Sequence, residues 1–384
     1  MKSRVQYLDI LKAIAIFLVV FCHFVLLPQT ISANILMCAC WMAVPTFFMV
    51  NGALLFTRLL NIKKHLIKML SIYLVLVVWK LIYMLTIPLM TGFCADGMPI
   101  TALLSDYGIN SILNYLFLFG ELPGIINGHL WFIDALLAVY LVFPLLKIVY
   151  DYSADGRHPV SGRQILWFTA ILALLCTNGL YSLEILGRML RSAGIPFQLS
   201  FNALMAFQPF GKYGNMLGFF LLGALLGNPA DRKASADGPA QRILASVLLI
   251  AGLFSLWGVK WFLSGQPEWD GILLEEGYRH IPVIFMALGL FLLFRSVTIP
   301  ERTVYPVIRL FASRTLGIFY IHWILGWMLT NPLAAFLISH GILMRGAEFG
   351  VLANIAKNII LIIPALLATL VLERIPVIRK LVQG

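Results

Sequence analysis

The amino-acid sequence predicts an all-α integral membrane protein, a bundle of about ten transmembrane helices with cytoplasmic N- and C-termini. Three observations predict this class. The 384 residues are 61% hydrophobic and only 12% charged, about half the charged fraction of a typical soluble domain. Apolar runs of eighteen or more residues recur along the chain, and runs of this length are typical of spans. Basic residues gather in alternate loops between these runs.

The apolar runs define ten predicted spans. The first follows Lys2 and Arg4, is too long for a signal-peptide core and precedes no small-residue cleavage site, so we expect an uncleaved anchor. In chain order the predicted spans are 8–28, 36–57, 66–89, 129–149, 164–181, 208–227, 243–263, 281–298, 311–330 and 351–372.

The distribution of charge predicts the topology. With the N-terminus inside, nineteen of the 28 Lys and Arg residues fall in inner loops and termini and seven on the outer side, which favours cytoplasmic termini in a bacterial inner membrane. The same bias explains the net charge of +11, so the expected partner is a lipid bilayer and not a nucleic acid. The five cysteines form no metal-ligand or disulfide pattern. No soluble domain or repeat is visible, so residues 1–384 are predicted to form a single transmembrane domain.

Ionisable side chains within the spans are the candidate functional residues. A charge in hydrocarbon costs several kcal/mol, so such residues usually face a polar interior. They are Asp9, Lys12 and His23 in span 1, Lys80 in span 3, His129 and Asp134 in span 4, and His322 in span 9.

Span 1 carries the most informative pattern. Lys12 and His23 are eleven residues apart, close to three helical turns, so they share one face about 16 Å apart along the axis. Asp9 lies one turn before Lys12 and can pair with it. Histidine can take and return a proton near neutral pH, and Lys12 can neutralise a phosphate or carboxylate from the cytoplasm. The structural alternative is an inner-interface ion pair and a His23 bonded to a backbone carbonyl.

Spans 4 and 9 leave two interpretations open. His129 is expected at the outer interface beside a belt tryptophan. Asp134 either orients His23 or accepts its proton, or it fixes helix packing by a hydrogen bond. Tyr320 and His322 either line one cavity or pack with satisfied polar ends.

A basic cluster opens span 3. Lys63, Lys64 and Lys68 fit the ordinary cytoplasmic bias. They equally fit the phosphates of a nucleotide-like donor, because three cations gather at the cytoplasmic face. Their positions in the sequence do not separate these readings.

Four motifs resemble the integral-membrane acyltransferase-3 family. The first is an Asp, a basic residue and a His eleven positions after that base, at Asp9, Lys12 and His23. The others follow in the family's order, at 44–52, 129–132 and 320–322. The resemblance runs from about residue 5 to 380, and four ordered motifs on a ten-span frame are specific.

The resemblance implies transfer of an acyl group, usually acetyl, from acyl-CoA (acetyl-CoA) to a hydroxyl of an envelope glycan or a similar carbohydrate. It implies that His23 is the catalytic base or acyl carrier, and that Lys12 stands where the family more often has Arg. Many members carry an esterase-like domain after the membrane part, which we do not expect here. No metal is expected. Supporting catalytic roles fall to Asp9 and Asp134, and predicted substrate-binding residues are Lys63, Lys64, Lys68, His129, Trp131, Tyr320, His322 and Asn51, the last where a Ser is commoner.

A different class of protein is the alternative. A proton-coupled transporter or flippase of a small polar solute or lipid-linked sugar also carries intramembrane His, Asp and Lys residues. Such carriers often show broken helices in two related halves, and this sequence shows no such symmetry. The sequence does not indicate the acceptor or the oligomeric state.

Overall fold

All regular secondary structure in the part that the structure, a computed structural model, describes is helical. No strand occurs in that part. The described residues are 5–23, 31–91, 108–122, 125, 128–153, 159–196, 209–227, 238–264, 277–340 and 351–383.

Fifteen α-helices are numbered here in chain order within the described residues. Short 3-10 turns, Gly128–Leu130 and Gly277–Arg279, precede α6 and α11, and a π-helical turn, Leu175–Gly179, joins α7 to α8. The helices are α1 (Gln6–His23), α2 (Ile31–Cys40), α3 (Ala43–Leu55), α4 (Ile62–Thr91), α5 (Ile109–Phe117), α6 (Trp131–Asp151), α7 (Gly162–Leu174), α8 (Leu180–Ser192), α9 (Gly214–Leu226), α10 (Pro239–Ser264), α11 (Ile281–Arg295), α12 (Tyr305–Ala312), α13 (Thr315–Ser339), α14 (Val351–Leu372) and α15 (Pro376–Gln383).

Helices coincide with all ten predicted spans. Seven helical segments in the described residues are long and apolar enough to cross a membrane. The other three predicted spans coincide with shorter apolar helices, Gly214–Leu226, Ile281–Arg295 and Thr315–Leu329. The structure therefore confirms a multi-helix membrane protein, while the number of crossings and the side of the termini stay predictions.

The structure refines several limits. Predicted span 36–57 is interrupted at positions 41 and 42, where a turn separates α2 from α3. Predicted span 164–181 continues through the π turn to residue 192. Residues 24–28 of the first predicted span lie outside the described residues.

Two compact units divide the chain. Unit 1 comprises residues 1–60 and 142–313, and unit 2 comprises residues 61–141 and 314–384. Each unit is built from two separate stretches of sequence. The single domain predicted for residues 1–384 stays a prediction.

In unit 1, α9 is buried and packs against α3 and α7 through glycines. A Cβ on Gly52 would lie 1.9 Å from the carbonyl oxygen of Phe220, and one on Gly223 would lie 1.9 Å from that of Met49. The backbones of α3 and α9 therefore touch, as small residues allow between membrane helices.

The start of α1 is attached to unit 1 by polar contacts. The hydroxyl of Tyr7 donates to the carbonyl of Gly227 at 3.3 Å, and Gln6 Oε1 accepts from the backbone N–H of Ile299 at 3.1 Å. The ring of Tyr7 also meets Phe291 edge-on at 5.8 Å. These contacts fix the position of the helix that carries Lys12 and His23.

In unit 2, α4, α13, α14 and α15 pack together. Trp79 Nε1 donates to the carbonyl of Leu381 at 2.9 Å, and Arg314 pairs with Glu373 at 3.0 Å. These bonds tie the C-terminal helix and the start of α13 to their neighbours.

Replacing Gly223 with Ala is expected to destabilise unit 1 by about 1–3 kcal/mol, because the added Cβ overlaps the α3 backbone. Gly258→Ala in α10 is the control, since nothing lies within 4 Å of its added Cβ. Thermal unfolding of the purified protein in detergent measures both. We expect a lower midpoint for Gly223→Ala alone, and equal midpoints for both variants would contradict the packing described.

Candidate functional site

Lys12 and His23 lie on one unbroken helix. α1 runs from Gln6 to His23 without interruption, which is the condition for the predicted shared face. Both residues are half-buried, and His23 is the last residue of the helix. The helix thus carries a basic residue in its first half and an imidazole at its far end.

Asp9 is held by a residue that the sequence did not indicate. It is buried, and its Oδ2 accepts a hydrogen bond from the hydroxyl of Tyr305 at 2.9 Å. This bond joins α1 to α12, a short helix outside the predicted spans. A buried carboxylate needs a hydrogen-bond partner, so Tyr305 stabilises the start of α1, the helix that carries Lys12 and His23.

Asn51 lies on α3 in unit 1. Its Nδ2 donates to the carbonyl of Phe47, one turn earlier, at 2.9 Å. The side-chain donor is therefore engaged within its own helix. Nothing in this contact separates a structural role from the predicted substrate contact.

Unit 2 brings together the predicted His129 and His322. Together with Tyr83, Tyr320 and Trp323 they form a group that we call the histidine cluster. The imidazole of His129 stacks on Trp323 with centroids 4.5 Å apart and meets the ring of His322 edge-on at 5.5 Å. Residues almost 200 positions apart in sequence thus share one site, which the sequence analysis did not predict.

Hydrogen bonds assign the ring protons in the histidine cluster. The hydroxyl of Tyr83 donates a short bond to the carbonyl of Tyr320 and lies 3.2 Å from Nε2 of His129. A hydroxyl has one proton, so Nε2 of His129 donates to Tyr83. In His322, Nδ1 lies 2.6 Å from the carbonyl of Phe319, so Nε2 is the acceptor there.

Both histidines therefore have one ring nitrogen held by a hydrogen bond to the protein. His129 and His322 are buried, and each has its N–H directed at an oxygen of the protein. This arrangement fixes the tautomer, which is what general acid–base chemistry requires of an imidazole. A packing role with a satisfied polar end, the alternative that the sequence left open, fits His322 but not Tyr320, whose buried hydroxyl has no hydrogen-bond partner in the described residues.

Trp79 and Lys80, neighbours on α4, each contact another helix of unit 2. The indole of Trp79 stacks on the Tyr320 ring at 4.9 Å. Lys80 is buried on α4, and its Nζ donates to the carbonyl of Tyr115 on α5 at 3.0 Å. The carboxylate of Asp134, on α6, attracts Lys80 electrostatically. These contacts explain how unit 2 tolerates a lysine inside an apolar helix.

The predicted basic cluster is exposed. Lys63, Lys64 and Lys68 lie on the first two turns of α4 with solvent-exposed side chains. Between them, Nε2 of His65 donates to the carbonyl of Tyr140 at 2.7 Å, which anchors this end of α4. Three exposed cations on an anchored helix end can attract an anion.

Sequence reasoning found the histidines and missed several of their partners. His129, Tyr320 and His322 come together, and Trp131 and Asp134 follow on α6 in the same unit. Lys12, His23, Asp9 and Asn51 belong to unit 1. The missed partners are Tyr83, Trp79 and Tyr305. The only signal for the first two is their spacing of four residues, which puts an indole and a phenol on one face of α4.

Tyr83→Phe is expected to destabilise the protein by about 1–3 kcal/mol, because it removes two buried hydrogen bonds of the hydroxyl, one with the His129 ring and one to the Tyr320 carbonyl. Tyr73→Phe is the matched control: its hydroxyl also donates to a carbonyl, that of Phe117 at 2.7 Å, but at an exposed position of the same helix. Thermal unfolding distinguishes them. A Tyr83→Phe midpoint no lower than that of Tyr73→Phe would show that the cluster bonds add no stability.

Comparison with known proteins assigns the family. No curated protein and no solved structure matches the chain. The family described as "Acyltransferase domain" matches residues 5–374, nearly the whole chain. This protein therefore belongs to the acyltransferase-3 family of membrane proteins.

Proposed function

We propose that this protein is an O-acyltransferase that moves an acyl group, in the simplest case acetyl, from acyl-CoA to a hydroxyl of an envelope glycan or a similar carbohydrate. The observation that carries the proposal is the family match over residues 5–374. The continuous α1 with Lys12 and His23 on one face supports it. The proposed location is the bacterial inner membrane.

His23 is the proposed catalytic base. It takes the proton of the acceptor hydroxyl while the oxygen attacks the thioester carbonyl. The C–S bond breaks, an ester forms, and the CoA thiolate leaves and takes up a proton. As an acyl carrier, His23 would instead form an acyl-imidazole, which the acceptor hydroxyl then attacks. Both routes need the imidazole at the end of α1.

The other roles follow the same scheme. Lys12 is proposed to neutralise donor phosphate, and Asp9 to support the start of α1 through Tyr305. Asp134 is a proposed supporting carboxylate. The proposed substrate contacts are Trp131, Asn51 and, from the histidine cluster, His129, Tyr320 and His322.

His23→Ala is expected to abolish acyl transfer while the protein remains folded in the membrane. The assay follows radiolabelled acetyl from acetyl-CoA into glycan with purified protein in nanodiscs. His340→Ala is the control, because His340 is an exposed histidine at the end of α13 with no proposed role. If His23→Ala retained acyl transfer at the level of His340→Ala, His23 would not be the catalytic residue.

Charge removal at the start of α4 tests donor binding. The triple variant Lys63→Gln, Lys64→Gln, Lys68→Gln is expected to raise the KM for acetyl-CoA about tenfold or more with little change in kcat, because attraction of the donor phosphates acts on binding. The matched control neutralises three exposed cations near the C-terminus of the same unit, Arg374, Arg379 and Lys380. An equal rise of KM in both triple variants would rule out a specific donor site.

The same assay separates the enzyme from the transporter alternative. A proton-coupled carrier moves its solute without consuming a thioester, so purified protein would leave acetyl-CoA intact. An acyltransferase releases one free CoA thiol for each ester formed. Comparing envelope-glycan acylation in cells with and without the gene then identifies the acceptor.

A further inference from the structure

Three buried polar atoms in one region of unit 1 have no hydrogen-bond partner in the described part of the protein. They are Nζ of Lys260, Nε1 of Trp41 and Nε2 of His280. Lys260 is only 7% exposed and His280 only 2%. A buried polar group without a partner costs free energy, and a native protein normally gives such groups a ligand, an ion or water.

The three atoms belong to one group of side chains. Nζ of Lys260 lies over the indole of Trp41, 5.1 Å from its centroid. The other contacts of Trp41 come from the turn before α11: Tyr278 meets it edge-on at 4.6 Å, and Gly277 has no room for a Cβ, which would lie 2.2 Å from the indole. Lys260 also acts electrostatically on His280, in the same turn.

The turn that carries Tyr278 and His280 is held rigidly. Asn178, in the π turn between α7 and α8, donates from Nδ2 to both carbonyls, at 2.9 Å to Tyr278 and 3.1 Å to His280. The hydroxyl oxygen of Ser182 accepts from the next backbone N–H, that of Ile281, at 2.9 Å. π turns inside helices frequently mark functional sites, and this one fixes the backbone of the turn that carries His280.

The chemistry of the group favours an anionic oxygen. Burial and the neighbouring Lys260 lower the pKa of His280 to about 4, so His280 is neutral at physiological pH, and an anion bound beside Lys260 would favour the charged ammonium. An ammonium and an indole N–H donate to carboxylate or phosphate oxygens. The Trp41 face adds an apolar wall, as in sites for cyclic ligands.

The group lies at the same end of unit 1 as His23. α10 and α11 are antiparallel neighbours, so Lys260, near the end of α10, and His280, at the start of α11, share one end. α2 packs against both α1 and α10. Tyr7, at the start of α1, meets Phe291 in the second half of α11, so the opposite end of α1, which carries His23, lies towards the start of α11.

We propose that Lys260, Trp41 and His280 form an anion subsite that binds a carboxylate or phosphate group on the acceptor sugar and so presents a hydroxyl of that sugar to His23. The acceptor assignment rests on the proposed function. The binding of an acidic sugar does not, because it needs neither acyl-CoA nor transfer.

Direct binding tests the subsite. Purified full-length protein in nanodiscs is titrated calorimetrically with glucuronate, glucose 1-phosphate and glucose, without acyl-CoA. We expect saturable binding of at least one acidic sugar, at least tenfold tighter than glucose, and the better ligand distinguishes carboxylate from phosphate. Equal binding of glucose, or no saturable binding of either acidic sugar, would overturn the subsite.

Variants locate the binding. Lys260→Met keeps the stem length and removes the charge, so acidic-sugar binding should weaken at least tenfold. Its unliganded melting midpoint should equal or exceed that of the wild type, because a buried polar atom without a hydrogen-bond partner is removed. Lys212→Gln is the control, an exposed lysine just before α9 at the same end of unit 1, and it should bind like the wild type. Equal affinities in both variants would overturn the proposal.

Two further variants keep the test decisive. Trp41→Phe retains a ring but removes the N–H, so it should weaken acidic-sugar binding several-fold even if Lys260→Met fails to fold; unchanged binding would count against the subsite. His23→Ala should bind the acidic sugar like the wild type, and loss of binding there would overturn a separate subsite. Transfer without acidic-sugar binding would refute the subsite alone, whereas binding without transfer would refute the proposed enzyme function alone.

Discussion

Polar groups inside apolar helices must find partners within the protein, and this constraint organises both units. Water is not at hand in a bilayer core, so an unsatisfied polar group is costly there. Lys80 meets this requirement through the carbonyl of Tyr115, and Asp9 meets it through Tyr305. Each of these bonds also joins two helices, so the same hydrogen bond satisfies the polar group and fixes the helix packing.

The same constraint separates supporting residues from candidate functional residues. The side chains of Tyr83 and Asn178 donate hydrogen bonds to backbone carbonyls of their own unit. Lys260, Trp41 and His280 do not, within the described residues. Groups that are buried, positioned by neighbours and without a hydrogen-bond partner are suited to bind a ligand, and the proposed acidic-sugar subsite rests on this observation.

The two units hold different candidate functional residues. Unit 1 holds His23 at the end of a continuous helix, with the unpartnered lysine, indole and imidazole at the same end. Unit 2 holds two buried imidazoles, His129 and His322, which are held by Tyr83 and a backbone carbonyl. The family motifs are thus distributed over both units, so no single helix accounts for the whole acyltransferase signature.

The sequence by itself determined the membrane class, the positions of the ten apolar helices and the common face of Lys12 and His23, because length, hydropathy and the 3.6-residue period are local properties. It also put His129 and His322 among the candidates, since a polar residue stands out in an apolar run. Only the tertiary structure decided that these two rings meet, that Tyr83 orients one of them and that Asp9 bonds to Tyr305. The same holds for the meeting of Lys260 with Trp41 and His280. Those contacts join residues far apart in the chain, and their partners are ordinary aromatic residues that no local pattern distinguishes from packing residues.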